Sequence, residues 1–283
     1  MTRYNNKISM DLKDKIVQHY DVLSPYYKEL WGIHIHHGYW KTGNETKEQA
    51  QEQLIKELIS RAGIKNGARI LDAGCGIGGT AIYLHKTLGA KVTGITISPN
   101  QIEMGNKLAR ENKAKIKLML IDADQFNCDN NFEHEFDVIW SVEAISHFHK
   151  KANFFRSTSL LLKPGGKFVI ADWFKSNFLT EKEERKYIKP IEKAMLVPRL
   201  ESPASYMNYM NRAGLNVTSF EDASAKVART WDTSSELLKN PALWKFAAAR
   251  GKDFMTFLKG FAAMKMGFRS KAFMYGIIIA QKN

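Results

Sequence analysis

The sequence predicts an α/β protein built on a doubly wound parallel sheet. Three observations predict it. An apolar pair, Ile70-Leu71, runs straight into a turn holding Gly74, Gly76, Gly78 and Gly79 and then into a helical stretch. From residue 69 to residue 172, β-branched and apolar runs alternate with segments of helical periodicity, which implies parallel strands joined by right-handed crossovers. After residue 172 the period changes to long helical segments and returns to a strand only near the end.

The 283 residues, 44% hydrophobic and 25% charged, suffice for a full core and read as one domain with an attached cap. No apolar run reaches the length of a membrane span, and Met1 to Lys15 is polar with no signal-peptide core, so a cytoplasmic location is expected. Two cysteines, Cys75 in the glycine turn and Cys128 in a polar stretch, make neither a disulfide framework nor a metal site. The formal charge of +13 raises nucleic acid or an anionic surface as a partner. That charge is concentrated late, with eleven Lys and Arg against three acids from Lys226 onward. A solvated helix face accounts for such a run equally well.

Residues 11–31 carry Leu12, Ile16, Tyr20, Leu23, Tyr27, Leu30 and Trp31 at helical spacings, with a break expected at Ser24-Pro25. Three histidines follow at 34, 36 and 37. No carboxylate or cysteine stands at ligand spacing beside them, and their aromatic, glycine-containing setting is that of a pocket wall, so no metal is expected. Residues 45–62 repeat apolar positions at helical spacing, and Gly63 closes that helix. Thr80–Leu88 is the first crossover helix and Lys91–Thr96 the second strand. Ser98 is an N-cap with Pro99 at the first helical position. Lys117–Ile121 is read as a third, buried strand, Phe136–Val142 as a fourth, and Lys167–Asp172 as a fifth, entered through a Pro164-Gly165-Gly166 turn. Residues 181–213 are charged and helical, Leu215–Phe220 is a strand, 234–270 is helical, and Met274–Ala280 closes the sheet. The Met and Phe stripe from Phe254 to Phe268 is expected to pack against the cap, or else to line an adaptable apolar pocket.

Gly74, Gly76 and Gly79 satisfy the dinucleotide spacing G-x-G-x-x-G, which keeps a nicotinamide or flavin enzyme in view. Asp72 points elsewhere. A carboxylate two residues before the first glycine opposes a pyrophosphate but suits a ligand carrying an ammonium and a sulfonium. Its alternative is a turn-forming aspartate that bonds its own loop. In a doubly wound sheet the ligand sits at the carboxyl ends of the strands. The positions to read are therefore Asp72 to Gly79, Thr96 and Gln101, Asp122-Ala123, Ser141 to His147, and Asp172-Trp173.

Several stretches carry a family resemblance: His36-His-Gly-Tyr-Trp40, Ile70-Leu-Asp-Ala-Gly-Cys-Gly76, Val92-Thr-Gly-Ile-Thr-Ile-Ser98, Asp122-Ala123, Phe136-Asp-Val-Ile-Trp-Ser141, Leu162-Lys-Pro-Gly-Gly166 and the end from Leu258 through Tyr275 to Lys282. With these the chain resembles the class I S-adenosylmethionine-dependent methyltransferases, in particular the gamma-tocopherol and sterol C-24 methyltransferase-like enzymes. The resemblance implies a Rossmann-like, seven-stranded sheet whose last strand is antiparallel. It also implies an N-terminal helical lid (1–44), a donor-binding core (45–175), a helical substrate cap with one strand near 214–221 (176–272) and a final core strand (273–283).

It further implies that Asp72, Gly74 and Gly76 hold the methionine tail of S-adenosylmethionine and that Asp122 with the Ala123 amide holds adenine. The second strand of such enzymes usually ends in an acid for the ribose; Thr96 stands there instead, and with Gln101 it can bond the hydroxyls. Tyr20 and Ser141 belong to the same donor site. Tyr20, Tyr26, His37 and Tyr39 would close over it as a lid, or form an aromatic core beneath the N-terminal helix. A hydroxyl acceptor must lose a proton, at a pKa near ~10 for a phenol, so a general base helps. His147 is the candidate, as in sugar O-methyltransferases of the rebeccamycin type, with Asp172 orienting it or taking the proton itself. Glu143 faces the methionine end or the acceptor, and His37, Tyr39, Glu143 and Trp173 form the expected acceptor pocket.

The function expected is methylation of a small apolar or aromatic acceptor under residues 176–272, on a hydroxyl, with methylation of a prenyl or quinol carbon or of an amine as alternatives. An RNA methyltransferase or binding protein lacks support, since there is no Asn-Pro-Pro-Tyr-type base pocket and no separate RNA-binding module. No nucleic acid partner is therefore expected. The basic helices from 241 to 271 raise peripheral contact with an anionic membrane as a further expectation.

Overall fold

A computed structural model describes residues 12–21, 24, 28, 31–125, 136–250 and 252–283. Leu23, Tyr26, Tyr27 and Leu30, the expected break at Pro25, and Cys128 lie outside the described residues. Residues 12–21 are helical (α1). Helix α2 (Lys47–Ala62) starts at a capping box in which Thr46 and Gln49 satisfy each other's backbone, and ends at Gly63 with φ 59°.

Strand β1 (Arg69–Ala73), helix α3 (Gly79–Leu88), β2 (Lys91–Thr96), α4 (Pro99–Glu111), β3 (Lys117–Leu120), β4 (Phe136–Val142), α5 (Lys151–Leu161) and β5 (Leu162–Lys175) follow in alternation. Ser98 caps α4 by accepting from the Gln101 amide, with Pro99 in the first turn. The remainder comprises a helical run of α6 (Glu181–Glu183), a π-helical turn (Glu184–Ile188) and α7 (Lys189–Ala194), then α8 (Pro203–Arg212) and β6 (Leu215–Asp222). Helices α9 (Ser224–Val227), α10 (Arg229–Leu237), α11 (Pro241–Arg250) and α12 (Lys252–Arg269) lead into β7 (Phe273–Lys282).

The seven strands form one sheet in the order β3-β2-β1-β4-β5-β7-β6. Strands β1 to β5 pair in parallel, and β7 is antiparallel to both β5 and β6. Successive residues alternate between two cores, as strand geometry demands. Ile70, Val138, Trp140 and Val169 pack with α2 and the cap helices on one face. Leu71, Ile139, Phe168 and Ile170 pack with Phe154 and Phe155 of α5 and Tyr206 and Met210 of α8 on the other. Each such fully buried side chain contributes about 1.5–3 kcal/mol.

Four readings of the sequence change. Strand β3 is not buried: it is the edge of the sheet, and Leu120 is 56% exposed. Residues 164–166 are not a turn before β5 but a bulge within it. Leu162 pairs with Phe136 and Lys167 with Val138, so Pro164-Gly165-Gly166 is looped out and Gly165 takes φ 76°. The helical stretch 181–213 breaks between Ala194 and Pro203, and 234–270 is three helices rather than one. Phe254, Phe257, Leu258, Phe261 and Met264 do pack into the core beneath the cap, while Lys259, Arg269 and Lys271 are exposed. Among the described residues no helix is long and apolar enough to cross a membrane.

Candidate active site

The carboxyl ends of β1, β2 and β4 open onto a cavity. Its floor is the glycine turn, where Gly74, Gly76 and Gly78 take φ of 82°, 53° and 76°. The Gly74 and Cys75 amides donate to the Ile95 carbonyl at 2.9 and 3.0 Å, folding the turn onto the end of β2. A Cβ on Gly74 would lie 2.2 Å from that of Ala144, so the turn and the end of β4 touch through glycine alone. Gly79 meets the N-terminal stretch just as closely: its Cβ would lie 2.0 Å from the Ile33 carbonyl oxygen.

Thr96, Gln101, Asp122 and Ala123 line this cavity. The Thr96 hydroxyl donates to Gln101 Oε1 at 2.6 Å, which leaves the Gln101 amide nitrogen turned toward the glycine loop. Asp122 accepts the Asp124 amide at 3.0 Å and is ion-paired to Lys13 of α1. Asp124 accepts the His149 and Lys150 amides at 2.9 and 2.8 Å. His149 therefore lines the cavity as well.

Asp72 sits to one side, 3% exposed, in a smaller cavity with Gly74, Gly76 and Thr80. Its Oδ2 has no hydrogen-bond partner among the described residues, and burial pushes its carboxyl up to about 7. Ser141, expected at the donor site, lines none of these cavities, because its hydroxyl donates to the Ala73 carbonyl at 2.9 Å and ties β4 to β1.

A second chamber lies beyond, walled by Trp31, Trp173, Met195, Trp231 and Phe257 with His19, His36 and His37. Tyr20, Ile35, Glu143 and His147 line both spaces and form their common wall. Glu143 has φ 52°, a left-handed conformation that a side chain rarely adopts, at the end of β4. Four groups converge on its carboxylate: the His37 amide at 2.6 Å, His37 Nδ1 at 2.9 Å, the Tyr275 hydroxyl at 2.9 Å and Trp173 Nε1 at 3.1 Å. Burial acts to raise the Glu143 pKa, but the His37 ring and hydrogen bonds hold it below the ordinary glutamate value. His37 Nε2 accepts from Trp231 Nε1 at 2.7 Å, which fixes its tautomer.

His147 ends a 3₁₀ turn, Ile145–His147, with its Nε2 3.4 Å from the Tyr20 hydroxyl. Burial lowers its pKa to about 4, against a smaller raising effect of the Leu196 backbone. The expected pairing of His147 with Asp172 does not form. Asp172 accepts the Ser146 amide at 2.8 Å, the Trp173 amide at 2.8 Å and the Tyr206 hydroxyl at 3.3 Å, and burial raises its pKa to about 6. It thus holds the turn that bears His147 without touching the ring. Tyr39 does not reach the chamber either; its hydroxyl lies 3.2 Å from Arg61 and 3.4 Å from Glu221.

Lys13, His19, Thr230, Trp231 and Tyr275 line or brace the site without having been expected there. Trp231 and Tyr275 stand 194 and 132 positions from their partners, and no local pattern announces such contacts. The chemistry of the whole fits a nucleoside with a cationic tail in the first cavity. The glycine cradle admits the main chain of a ligand closely, and the orphaned Asp72 oxygen needs a donor or a positive charge.

The chain matches the family model described as mycolic acid cyclopropane synthetase over residues 9–273. It is 29% identical to the chloroplastic tocopherol O-methyltransferase of Arabidopsis thaliana, over 96% of this chain and 82% of that protein. It is also 29% identical to the 27-O-demethylrifamycin SV methyltransferase of Amycolatopsis mediterranei, over 84% and 88%. Among solved structures, the cyclopropane synthase MmaA2 from Mycobacterium tuberculosis is similar with a TM-score of 0.80 at 21% identity, over 95% of this chain and 98% of that one. The geranyl diphosphate C-methyltransferase from Streptomyces coelicolor, solved with S-adenosylhomocysteine, is similar with a TM-score of 0.74 at 18% identity, over 96% and 98%. At those identities the two structures speak for the fold.

Proposed function

This chain belongs to the mycolic acid cyclopropane synthetase family and is an S-adenosylmethionine-dependent methyltransferase of small molecules, and from that premise we propose that it methylates a hydroxyl of an apolar or aromatic acceptor held in the second chamber. The observation that carries the proposal is the common wall: Tyr20, Ile35, Glu143 and His147 line both the donor cavity and the chamber. S-adenosylmethionine, when bound, supplies an electrophilic methyl on a sulfonium. Gly74 and Gly76 receive its tail beside Asp72, Thr96 and Gln101 meet the ribose, and Asp122 with Ala123 meets the base. Tyr20 of α1 covers the junction and excludes water, which otherwise competes for the methyl group.

His147 takes the proton. As the acceptor oxygen is alkylated it becomes positively charged and its proton strongly acidic, so a neutral imidazole of low basicity suffices. Asp172 is a positioning residue. By holding the Ser146 amide it fixes the ring that follows, and Tyr206 fixes Asp172 in turn. A second reading, methylation at carbon, is favoured by one feature. The Glu143 carboxylate, held ionised among Trp173, Trp231 and Tyr275, would stabilise positive charge developing on a prenyl or quinol carbon.

The test is a labelled-methyl transfer screen over apolar phenols, quinols, alcohols and amines. The proposal expects label on a hydroxylated acceptor; label taken only by amines would contradict it. Asp72 adds a pH dependence. Burial raises its carboxyl from the ordinary aspartate value of 3.8 to about 7 in the folded chain, so the ionised form costs the free protein stability as pH rises through that range. A cationic tail favours that same ionised form. Affinity for S-adenosylhomocysteine is therefore expected to rise by roughly tenfold between pH 6 and pH 8 and then level off, because one pKa unit is a factor of ten. Calorimetric titration at the two pH values checks this, and a flat profile would remove Asp72 from the tail site.

A further inference from the structure

The outer faces of α7 and α12 are explained by neither cavity. The two helices lie side by side. A Cβ on Gly260 would meet Met195 Cε at 2.6 Å, and one on Gly267 would meet Ile191 Cδ1 at 2.8 Å. The loop after β5 joins the same surface, because the Ser176 amide donates to the Ala272 carbonyl at 2.8 Å. On that loop Phe178 is 93% exposed, more than any other large apolar side chain among the described residues. Met266, on the outer face of α12, is 47% exposed.

Six cations stand around them: Lys182, Lys186 and Lys193 on the run from α6 to α7, and Lys259, Arg269 and Lys271 on α12 and just past it. All six are exposed, and none forms an ion pair among the described residues. The acids of this surface are already engaged. Glu181 pairs with Arg185 at 3.3 Å, Glu192 with Lys189 at 2.7 Å, and Glu184 with Lys175. Glu183 turns back to accept the Thr180 amide at 2.9 Å, closing the cap of α6. Other late cations are held internally, since Lys265 pairs with Asp232 at 2.8 Å, Lys239 pairs with Glu236, and Arg229 donates to the Gly43 carbonyl. This face therefore sets cations without counter-ions around an apolar ring that projects into water.

We propose that this face docks on an anionic lipid bilayer, with Phe178 entering the headgroup boundary and the six cations meeting the anionic headgroups. A polyanion in solution would meet the cations but leave Met266 wet, whereas a bilayer takes both kinds of group. The inner sides of the same elements support the choice. Met195, just after α7, and Phe257 of α12 wall the acceptor chamber, so docking sets that chamber beside the phase into which apolar molecules partition. Only this last link rests on the acceptor proposed above; the docking does not.

The experiment is flotation of the full chain, without methyl donor or acceptor, on vesicles of phosphatidylcholine alone or mixed with phosphatidylglycerol. The chain is expected to float with the anionic vesicles at low salt, to stay behind with the neutral ones, and to be released as salt is raised. Replacing Lys182, Lys186 and Lys271 together with alanine should weaken binding by about 100-fold, about fivefold for each cation. Phe178→Ser should weaken it by about tenfold and leave the melting temperature unchanged, because the ring packs against nothing. Lys86→Ala combined with Lys107→Ala, exposed on α3 and α4, should change it by no more than about twofold. No flotation with anionic vesicles, undiminished binding by Phe178→Ser, or the same loss per charge in the α3 and α4 variant would overturn the proposal. Retention on short RNA in preference to anionic vesicles would overturn it too and assign the face to nucleic acid. Methyl transfer is not measured, so each of these results leaves the proposed reaction standing.

Discussion

Replacing His147 with alanine is expected to lower turnover on the acceptor by about 10²–10⁴-fold, the usual contribution of a positioned general base, with S-adenosylhomocysteine affinity changed by no more than a few-fold. The ring stands on the wall shared by donor cavity and chamber, where, in the reaction we propose, a proton leaves as the methyl arrives. With its pKa lowered to about 4, the imidazole is already neutral across the physiological range. Turnover that depends on it should therefore hold steady down to mildly acid pH and fall only as pH approaches 4, rather than near the ordinary histidine value. A rate profile of the unaltered and variant chains measures both effects. The same burial carries a stability cost in acid. His19, His34 and His147 are all lowered, so below pH 6.5 the unfolded chain gains protons that the native chain does not, and stability falls as pH drops toward 4.

Replacing Glu143 with alanine is expected to destabilise the fold by about 3–5 kcal/mol, the typical cost of removing one partner from a buried charge network. Four donors lose their acceptor at once, and they come from three separate parts of the chain: the His37 stretch, Trp173 of β5 and Tyr275 of β7. None can turn to water, because all are buried. Thermal unfolding should shift downward by roughly 5–10 °C for a chain of this size. Glu143→Gln, which keeps one acceptor oxygen, should lose less. An unchanged melting temperature in the alanine variant would show that the convergence on Glu143 contributes nothing to stability.

What the sequence made legible is local. The strand, acid, glycines and helix around Asp72 are neighbours along the chain, and the alternation of strands with helices is a periodic signal, so the sheet and the floor of the donor cavity could be foreseen. Thr96, Asp122 and Ala123 followed because they lie just past strand ends, where a doubly wound sheet presents its ligand. The pairing of His147 with Asp172 was misplaced for a complementary reason. Both stand at adjacent strand ends, but the 3₁₀ turn presents the Ser146 amide, not the imidazole, to the carboxylate.

The chamber was the least legible part. Its walls come from α1, the His34–His37 stretch, α10 and α12, elements far apart in sequence that meet only once the cap has folded. Ser141 and Tyr39 show the same limit from the other side. Each has the right residue type near the right place, yet one closes a gap between strands and the other joins a surface cluster with Arg61 and Glu221. Edge and interior strands also read alike when short, which is why the sequence of β3 reads as that of a buried strand.

In the reaction we propose, the methyl group crosses the wall of Tyr20, Ile35, Glu143 and His147 to reach an oxygen. The most direct test is carbon NMR of the product formed with S-adenosylmethionine labelled in its methyl group, using an acceptor that offers both a hydroxyl and a nucleophilic ring or prenyl carbon. The label is expected bonded to oxygen, with that product lost in His147→Ala. Label bonded to carbon, formed equally well by the His147 variant, would contradict it and leave Glu143 as the group that governs the reaction.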